Sequence, residues 1–291
     1  MIVITGAGGF IGSNLYESLK NKYEIIKVDF KDDYVDPYDF LDRLNNVEFA
    51  KSIDTIFHQG ACTDTMCYNT SFMMERNFDY SVKLFKYCLK HNIRLIYASS
   101  AAIYGHGPFS ENNSNPINIY ATSKHLFDEY VRAYLREGVN TQVVGLRYFN
   151  VYGPGEQDKG NMASVIYQFK KQSDLKNKIQ LFKNSENYKR DFIHVDDVIS
   201  VNLHFMENKK ISGIFNCGTG TAKSFSDIAN IMQQELKFKI QEIEMPEYLR
   251  DKYQKYTCAD LNLLREVGKY NNNFLDLKKG IARYRGFLSG K

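Results

Sequence analysis

The chain has 291 residues, 43% of them hydrophobic, which is enough to bury a sizeable core and excludes global disorder. Its formal net charge of +4 is too weak to argue for a nucleic-acid partner. No apolar run approaches a membrane span and no signal peptide precedes the first strand, so a soluble cytoplasmic protein with no membrane partner is expected.

In chain order, Met1–Thr5 is a short apolar run suited to a buried parallel strand. A glycine-rich turn leads into a predicted helix over Ile11–Lys22, followed by strands over Tyr23–Asp29 and Thr55–His58. A long helix is predicted over Phe72–His91, a strand over Arg94–Ser100, a helix over Tyr120–Glu137 and a strand over Gln142–Arg147. Strands alternating with helices imply an α/β fold built on a doubly wound parallel sheet. Beyond Tyr152-Gly153-Pro154-Gly155 the alternation weakens, and residues 156–190 are polar and lysine-rich. A helix over Val195–Glu207 and a strand over Gly213–Asn216 follow. The expected division is a dinucleotide-binding unit of residues 1–151 with 191–220, and a smaller mixed unit of 152–190 with 221–291.

Gly6, Gly9 and Gly12 form a GxxGxxG turn between the first strand and the first helix. The spacing suits a tight turn at Gly6, close approach of a pyrophosphate at Gly9 and close helix–strand packing at Gly12. The helix N-terminus behind it offers free N–H groups to phosphates. Asp29 ends the second strand about 20 residues on, where an acid binds a ribose hydroxyl. Asp29 favours a free 2′-hydroxyl, hence NAD; Lys31 stands either against a 2′-phosphate or in solvent.

Tyr120 and Lys124 are four residues apart on one helix face. A phenol titrating at about 10 is a weak base at neutral pH unless a nearby ammonium and a nicotinamide's positive charge stabilise its anion. Ser100 ends a strand, where such sheets place their ligands, and suits a hydrogen bond to the reacting oxygen.

GxxGxxG, Ser100, Tyr120 and Lys124, in that order, resemble the extended short-chain dehydrogenase/reductase family over essentially the whole chain. The resemblance implies a Rossmann domain for NAD(P), a smaller C-terminal domain for a sugar nucleotide, and a cofactor held throughout turnover. Members that dehydrate sugars carry an acid pair after the catalytic Ser or Thr; Ala101 and Ala102 stand there, so dehydration is not expected. Five ordered segments are similar to the branch that epimerises ADP-heptoses: His58–Cys62, Tyr97–Ala102, Arg147–Pro154, Lys159–Ser164 and Lys189–Phe192. Lys159–Ser164 is the most diagnostic of them.

That branch serves carbohydrate metabolism in lipopolysaccharide core synthesis. Its implied reaction is epimerisation at C6 of ADP-D-glycero-D-manno-heptose, through a transient 6-ketone, with tightly held NADP. Tyr120 matches the base for one epimer and Lys159 the base for the other, with Lys124 and Ser100 as their catalytic companions. A lysine serves as a base only if burial or nearby cations lower its pKa.

For the cofactor, the resemblance implies Phe10, Ile11, Phe30, Gln59, Gly60, Ala61, Cys62, Thr63, Asn77 and Val151 beside the glycines, Asp29, Lys31, Tyr120, Lys124 and Lys159, with Asn77 reading equally as a helix-surface asparagine. For the substrate it implies Ser100, Asn150, Asn161, Gln168, Phe182, Lys183, Asn184, Ser185, Arg190 and Tyr253. The Arg190 fork suits diphosphate oxygens, unless it pairs with Asp191. Two departures stand out. The segment Phe30–Tyr38 is short and lacks the lysines that family members set against a 2′-phosphate, which leaves NAD open beside NADP. Gln168 replaces a histidine usual at a substrate contact.

Among other readings, a UDP-hexose 4-epimerase needs Tyr120 but not Lys159, and a non-catalytic NAD(P)-sensing module usually loses the Tyr or the Lys. Cys62 and Cys67 near His58 fit no common metal spacing, and the cysteines are expected as small apolar residues. His194, beside Asp196 and Asp197, is expected to serve at a helix start. The family implies a homo-oligomer.

Overall fold

The computed structural model describes residues 1–247 and 254–288. Strands β1 (Ile2–Thr5), β2 (Ile25–Val28), β3 (Thr55–His58), β4 (Arg94–Ser100) and β5 (Val143–Tyr148) alternate with helices α1 (Phe10–Leu19), α2 (Pro37–Arg43), α3 (Val47–Lys51), α4 (Thr70–Met74), α5 (Tyr80–His91) and α6 (Ile119–Glu137). The later elements are β6 (Asn150–Tyr152), α7 (Val165–Lys176), β7 (Lys178–Phe182), β8 (Lys189–His194), α8 (Val195–Glu207), β9 (Gly213–Cys217), β10 (Ala222–Ser224), α9 (Phe225–Glu235), β11 (Lys239–Ile243), α10 (Asn262–Glu266) and α11 (Leu277–Leu288).

Six strands form one parallel sheet in the order β2-β1-β3-β4-β5-β9, the expected Rossmann-like doubly wound architecture. The chain steps from β1 to β2 on one side and then to β3 on the other, so the switch point lies between β1 and β3. The crevice beyond the carboxyl ends of those strands is where such sheets bind ligands. Both faces of the sheet are buried. Ile2 and Ile4 of β1 pack with Leu15 of α1 and Val198 and Phe205 of α8. Val3 points the other way, toward Phe40, Leu84, Phe85 and Phe127 of α2, α5 and α6. Alternate side chains of a strand face opposite layers, so one apolar run serves two helix layers.

The long helix predicted over Phe72–His91 is one helical run interrupted by a π-helical turn, Glu75–Asp79, between α4 and α5. Helices α2 and α3 were not foreseen. Asp36 caps α2 through the N–H groups of Tyr38 and Asp39, with Pro37 in its first turn, and Asn46 caps α3 through Phe49. The polar stretch 156–190 is also ordered, carrying α7, β7 and the start of β8. There Ile166, Phe169, Ile179, Leu181 and Phe192 join Ile228, Met232, Ile281 and Tyr284 in a third core. Two smaller sheets build that region, β10-β8-β6 and β11-β7. Leu264 and Tyr270 pack instead beneath the large sheet, with Val198 and Phe215. Among the described residues, no helix is long and apolar enough to cross a membrane.

Candidate active site

A cleft of about 530 Å³ opens over the carboxyl ends of β1 and β3. Fourteen of the residues named above for the cofactor wall it: Gly6, Gly9, Phe10, Ile11, Gly12, Asp29, Phe30, Lys31, Gln59, Gly60, Ala61, Cys62, Thr63 and Lys159. The backbone explains the glycines. Gly6 has φ +68°, and a Cβ there would lie 2.5 Å from Gly60 N. A Cβ on Gly12 would run into the Gly6 carbonyl. Side chains are excluded where the two loops and the helix converge, which leaves N–H groups lining a concave floor. That cradle fits a dinucleotide.

At the far end of the cleft, Asp29 closes β2. Its Oδ2 accepts from Gly8 N at 2.9 Å and its Oδ1 from Phe30 N at 2.8 Å. Lys31 folds back and donates to the Gly8 carbonyl at 2.6 Å, so acid and base stand side by side at the loop. Arg76, from the π-helical turn, also lines this end, with its guanidinium 3.5 Å from the Phe30 ring centroid.

Asn77 does not line the cleft, contrary to the expected cofactor contact. It is fully buried beneath the wall. Its side chain accepts from Cys62 N at 2.8 Å and donates to Cys62 O at 3.0 Å, so it holds the loop after β3 in place. His58 likewise lies under the wall, bonded to Thr5 Oγ1 at 2.6 Å and Ser81 Oγ at 2.8 Å. Burial, with a smaller push from Lys124, drives its pKa down to about 3, so it is neutral. Cys62 and Thr63 alone of that neighbourhood reach the cleft from beyond Ala61.

A second cavity, of about 390 Å³, adjoins the first and shares Phe10, Ile11, Gln59, Ala61, Thr63 and Lys159 with it. Ser100, Tyr120, Lys124, Asn150 and Val151 line it. Tyr120 and Lys124 stand one turn apart on α6, and Asn118 caps that helix through Ala121 N at 2.8 Å. Burial raises the Tyr120 phenol, while its hydrogen bond with Ser100 pulls the other way. Lys124 is buried and donates to the Ala98 carbonyl at 2.9 Å. Burial brings its pKa down to about 8, against the upward pull of Asp128. In the free chain, then, burial outweighs the phenolate stabilisation expected from sequence.

Lys159 lines the same cavity from another element, a short 3-10 segment, Gln157–Met162. Its Nζ lies 5.4 Å from the Phe10 ring centroid. Burial lowers its pKa, with Glu156 opposing. Glu156 itself is buried and ties both ends of the segment. It accepts from Gly153 N at 3.2 Å, from Ser164 N at 2.5 Å and from Ser164 Oγ at 2.9 Å. Two proton-active groups therefore flank one cavity, carried by elements far apart in sequence.

A third, smaller cavity continues from the second through Ala163, Val165 and Phe225. Gln168, Phe182 and Ser185 line it. Gln168 donates to the Gly160 carbonyl at 2.7 Å, which links it to the Lys159 segment. Other expected substrate residues sit apart from these walls. Asn161 is exposed on the Lys159 segment. Lys183 pairs with Glu244 at 2.5 Å on an exposed face, and Asn184 occupies a left-handed turn with φ +59°. Arg190 is buried, donates to the Lys189 carbonyl at 3.0 Å and lies 5.6 Å from the Phe225 ring centroid. Asp191 is held by Thr219, Gly220 and Ala259 N–H groups. Tyr253 lies outside the described residues. His194 takes its expected place at a helix start, its Nδ1 accepting from Asp196 N at 3.2 Å.

Residues 2–218 match the NAD dependent epimerase/dehydratase family. The chain belongs to that family. Membership brings a nicotinamide cofactor with it. The chain is 46% identical to an ADP-L-glycero-D-manno-heptose-6-epimerase of Brachyspira hyodysenteriae, over 99% of this chain and 98% of that one. It superposes on the crystal structure of the Helicobacter pylori enzyme of the same name with a TM-score of 0.84 at 29% identity, covering 100% of this chain and 96% of that one. A UDP-N-acetylglucosamine 4-epimerase from Methanobrevibacter ruminantium shares the fold, with a TM-score of 0.86 at 23% identity, covering 100% and 98%.

The cavities of this epimerase-family member are also lined or braced by residues that the sequence did not name as site residues. Phe149, Phe192 and Phe225 give the second cavity an aromatic wall. Arg76 and Glu156 went unrecognised because each acts on groups distant in sequence or on the far side of a turn. The adjacency of Arg76 to Asn77 was the one available signal.

Proposed function

We propose that this chain interconverts ADP-D-glycero- and ADP-L-glycero-D-manno-heptose by epimerisation at C6, using NADP. The observation that carries the reading is that Tyr120 and Lys159, from elements far apart in sequence, line one cavity next to the dinucleotide cradle. The glycine turn and the Gln59–Thr63 loop would hold the dinucleotide, and Tyr120, Lys124, Val151 and Lys159 would border its reactive end. When bound, the nicotinamide accepts and returns a hydride, and its positive charge favours the Tyr120 phenolate.

Inverting C6 means that hydride leaves one face and returns to the other. The C6 oxygen must lose its proton as the ketone forms and regain one as it collapses, and the two epimers present that oxygen in different directions. Tyr120 holds the proton for one epimer, supported by Ser100. Lys159 holds it for the other; burial lowers its pKa, which favours the neutral amine more than in an exposed lysine. Lys124, with a pKa near 8, supplies a cation beside the phenol.

Gln168, Phe182 and Ser185 would receive the nucleotide portion and Asn150 would meet the sugar; the resemblance adds Arg190 for the diphosphate and Asn161 and Tyr253 as further substrate contacts. In this reading residues 1–151 with 191–220 carry the cofactor, and 152–190 with 221–291 carry the sugar nucleotide. The resemblance extends it to a cytoplasmic homo-oligomer.

The test is proton NMR of ADP-D-glycero-D-manno-heptose incubated with the protein and catalytic NADP. Appearance of the L-glycero epimer without net NADPH is the expected result. No conversion, with UDP-galactose turned to UDP-glucose instead, would transfer the assignment to a UDP-hexose 4-epimerase.

A further inference from the structure

Among the described residues, Arg76 is the one arginine on the wall of the cofactor cleft, at the end where β2 stops. The π-helical turn aims it there, and such turns inside α-helices recur at functional sites. Its guanidinium lies against three rings, with centroids at 3.5 Å for Phe30, 5.3 Å for Phe72 and 5.9 Å for Tyr38. Two of its nitrogens, Nε and Nη1, are buried without a hydrogen-bond partner. Buried donors of that kind are normally satisfied. The adjacent carboxylate does not serve them, since Glu75 accepts from the Tyr38 hydroxyl at 2.5 Å.

The other charges at this end are Asp29 and Lys31. Asp29 is engaged by two backbone N–H groups, and Lys31 by a carbonyl. Lys31 thus offers charge without a carboxylate partner of its own, and Arg76 offers charge together with donors that no described protein group satisfies. The sum over Asp29, Lys31 and Arg76 is one net positive charge in a walled cleft. A guanidinium fork is suited to phosphate oxygens. Stacking on Phe30 fixes the plane of that fork before any ligand arrives.

We propose that Arg76, with Lys31, forms the seat for a phosphomonoester on the adenosine 2′ position, and that Arg76 decides the preference for NADP over NAD. This deepens the cofactor part of the function given above and rests on it. Arg76 thereby adds, from a different element, to the one lysine, Lys31, that the Phe30–Tyr38 segment supplies.

The experiment is isothermal titration of the nucleotide-free full chain with adenosine 2′,5′-bisphosphate and with AMP. These probes differ only in the 2′-phosphate and do not involve the sugar chemistry. The wild-type chain should prefer the bisphosphate by roughly ten- to a hundred-fold, the scale of one or two charge-assisted hydrogen bonds. Arg76→Ala should erase most of that ratio while AMP binding stays within about two-fold of the wild type. Arg76→Lys, which keeps the charge and loses the fork, should retain part of the ratio and settles the matter if the alanine variant does not fold. A wild-type ratio near one would overturn the proposal. So would an equal loss of both nucleotides in Arg76→Ala or Arg76→Lys, which would make the guanidinium a stacking platform for adenine. A chain that fails to epimerise heptose yet keeps the nucleotide ratio would refute only the sugar assignment.

Discussion

Removing the charge of Asp128 should destabilise the whole chain and disturb the catalytic helix. Asp128 and Arg147 are both fully buried, with Arg147 Nε donating to Asp128 Oδ2 at 2.8 Å. The carboxylate also accepts from the Tyr97 hydroxyl at 2.9 Å and the Ser99 hydroxyl at 2.9 Å. Arg147 Nη1 reaches the Glu111 carbonyl at 3.1 Å. The group thus joins β4, β5 and α6 under the second cavity. Asp128→Asn keeps the shape and leaves the guanidinium buried without its counter-charge, which costs about 3–5 kcal/mol. A typical fold has about 5–15 kcal/mol in total, so the loss is large. Arg147→Met leaves the carboxylate stranded in the same way. The double variant has no uncompensated charge, so its loss should fall short of the two single losses added together by more than about 1 kcal/mol. Urea unfolding followed by circular dichroism measures all three. A loss below about 1 kcal/mol in Asp128→Asn, or strict additivity in the double variant, would refute the reasoning.

Other substitutions separate the parts of the site. Lys159→Met should abolish heptose epimerisation while NADP binding, read by titration, remains; full activity would remove Lys159 from the catalytic machinery. Asn77→Ala removes both bonds to Cys62 and leaves the Cys62 backbone unpaired, so cofactor affinity should fall by roughly ten-fold with little change in the fold. An unchanged affinity would mean that the loop holds itself. Lys124 gives a pH dependence. Its pKa falls from 10.5 to about 8 on folding, so between those values the unfolded chain binds more protons and stability rises with pH. Below pH 8 the ammonium is charged in both states and its burial penalty, of order 3 kcal/mol, is fully felt. Lys124→Met should therefore gain most over the wild type at pH 7 and lose that advantage toward pH 10. Urea midpoints at pH 7 and 9.5 that differ by the same amount would contradict this.

The parallel sheet was legible because β1, β3 and β4 are apolar runs with both faces buried, each followed by a turn signal. The GxxGxxG turn read correctly for the same reason: its geometry is local, and the Gly6 φ of +68° restricts the residue whatever surrounds it. Elements with weak apolar periodicity were harder. Helices α2 and α3 are five to seven residues long and are defined mostly by caps at Asp36 and Asn46. The π-helical turn at Glu75–Asp79 shifts the register of a helix whose pattern otherwise looks continuous, which hid Arg76 and turned Asn77 inward. Stretch 156–190 looked loose because its ordering group, Glu156, binds backbone N–H groups, which carry no residue signature. The Tyr120–Lys124 pair was visible as a spacing, but burial sets the direction of both pKa shifts, and burial depends on the packed fold.

The central claim is that hydride leaves C6 and returns to it without meeting solvent, with Tyr120 and Lys159 moving only hydroxyl protons. The most direct test is to run the epimerisation in deuterium oxide and read C6 by NMR and mass spectrometry. The account predicts an L-glycero product that carries protium at C6. Deuterium at C6 would contradict it, since inversion would then proceed by loss of a proton to solvent rather than by a returned hydride.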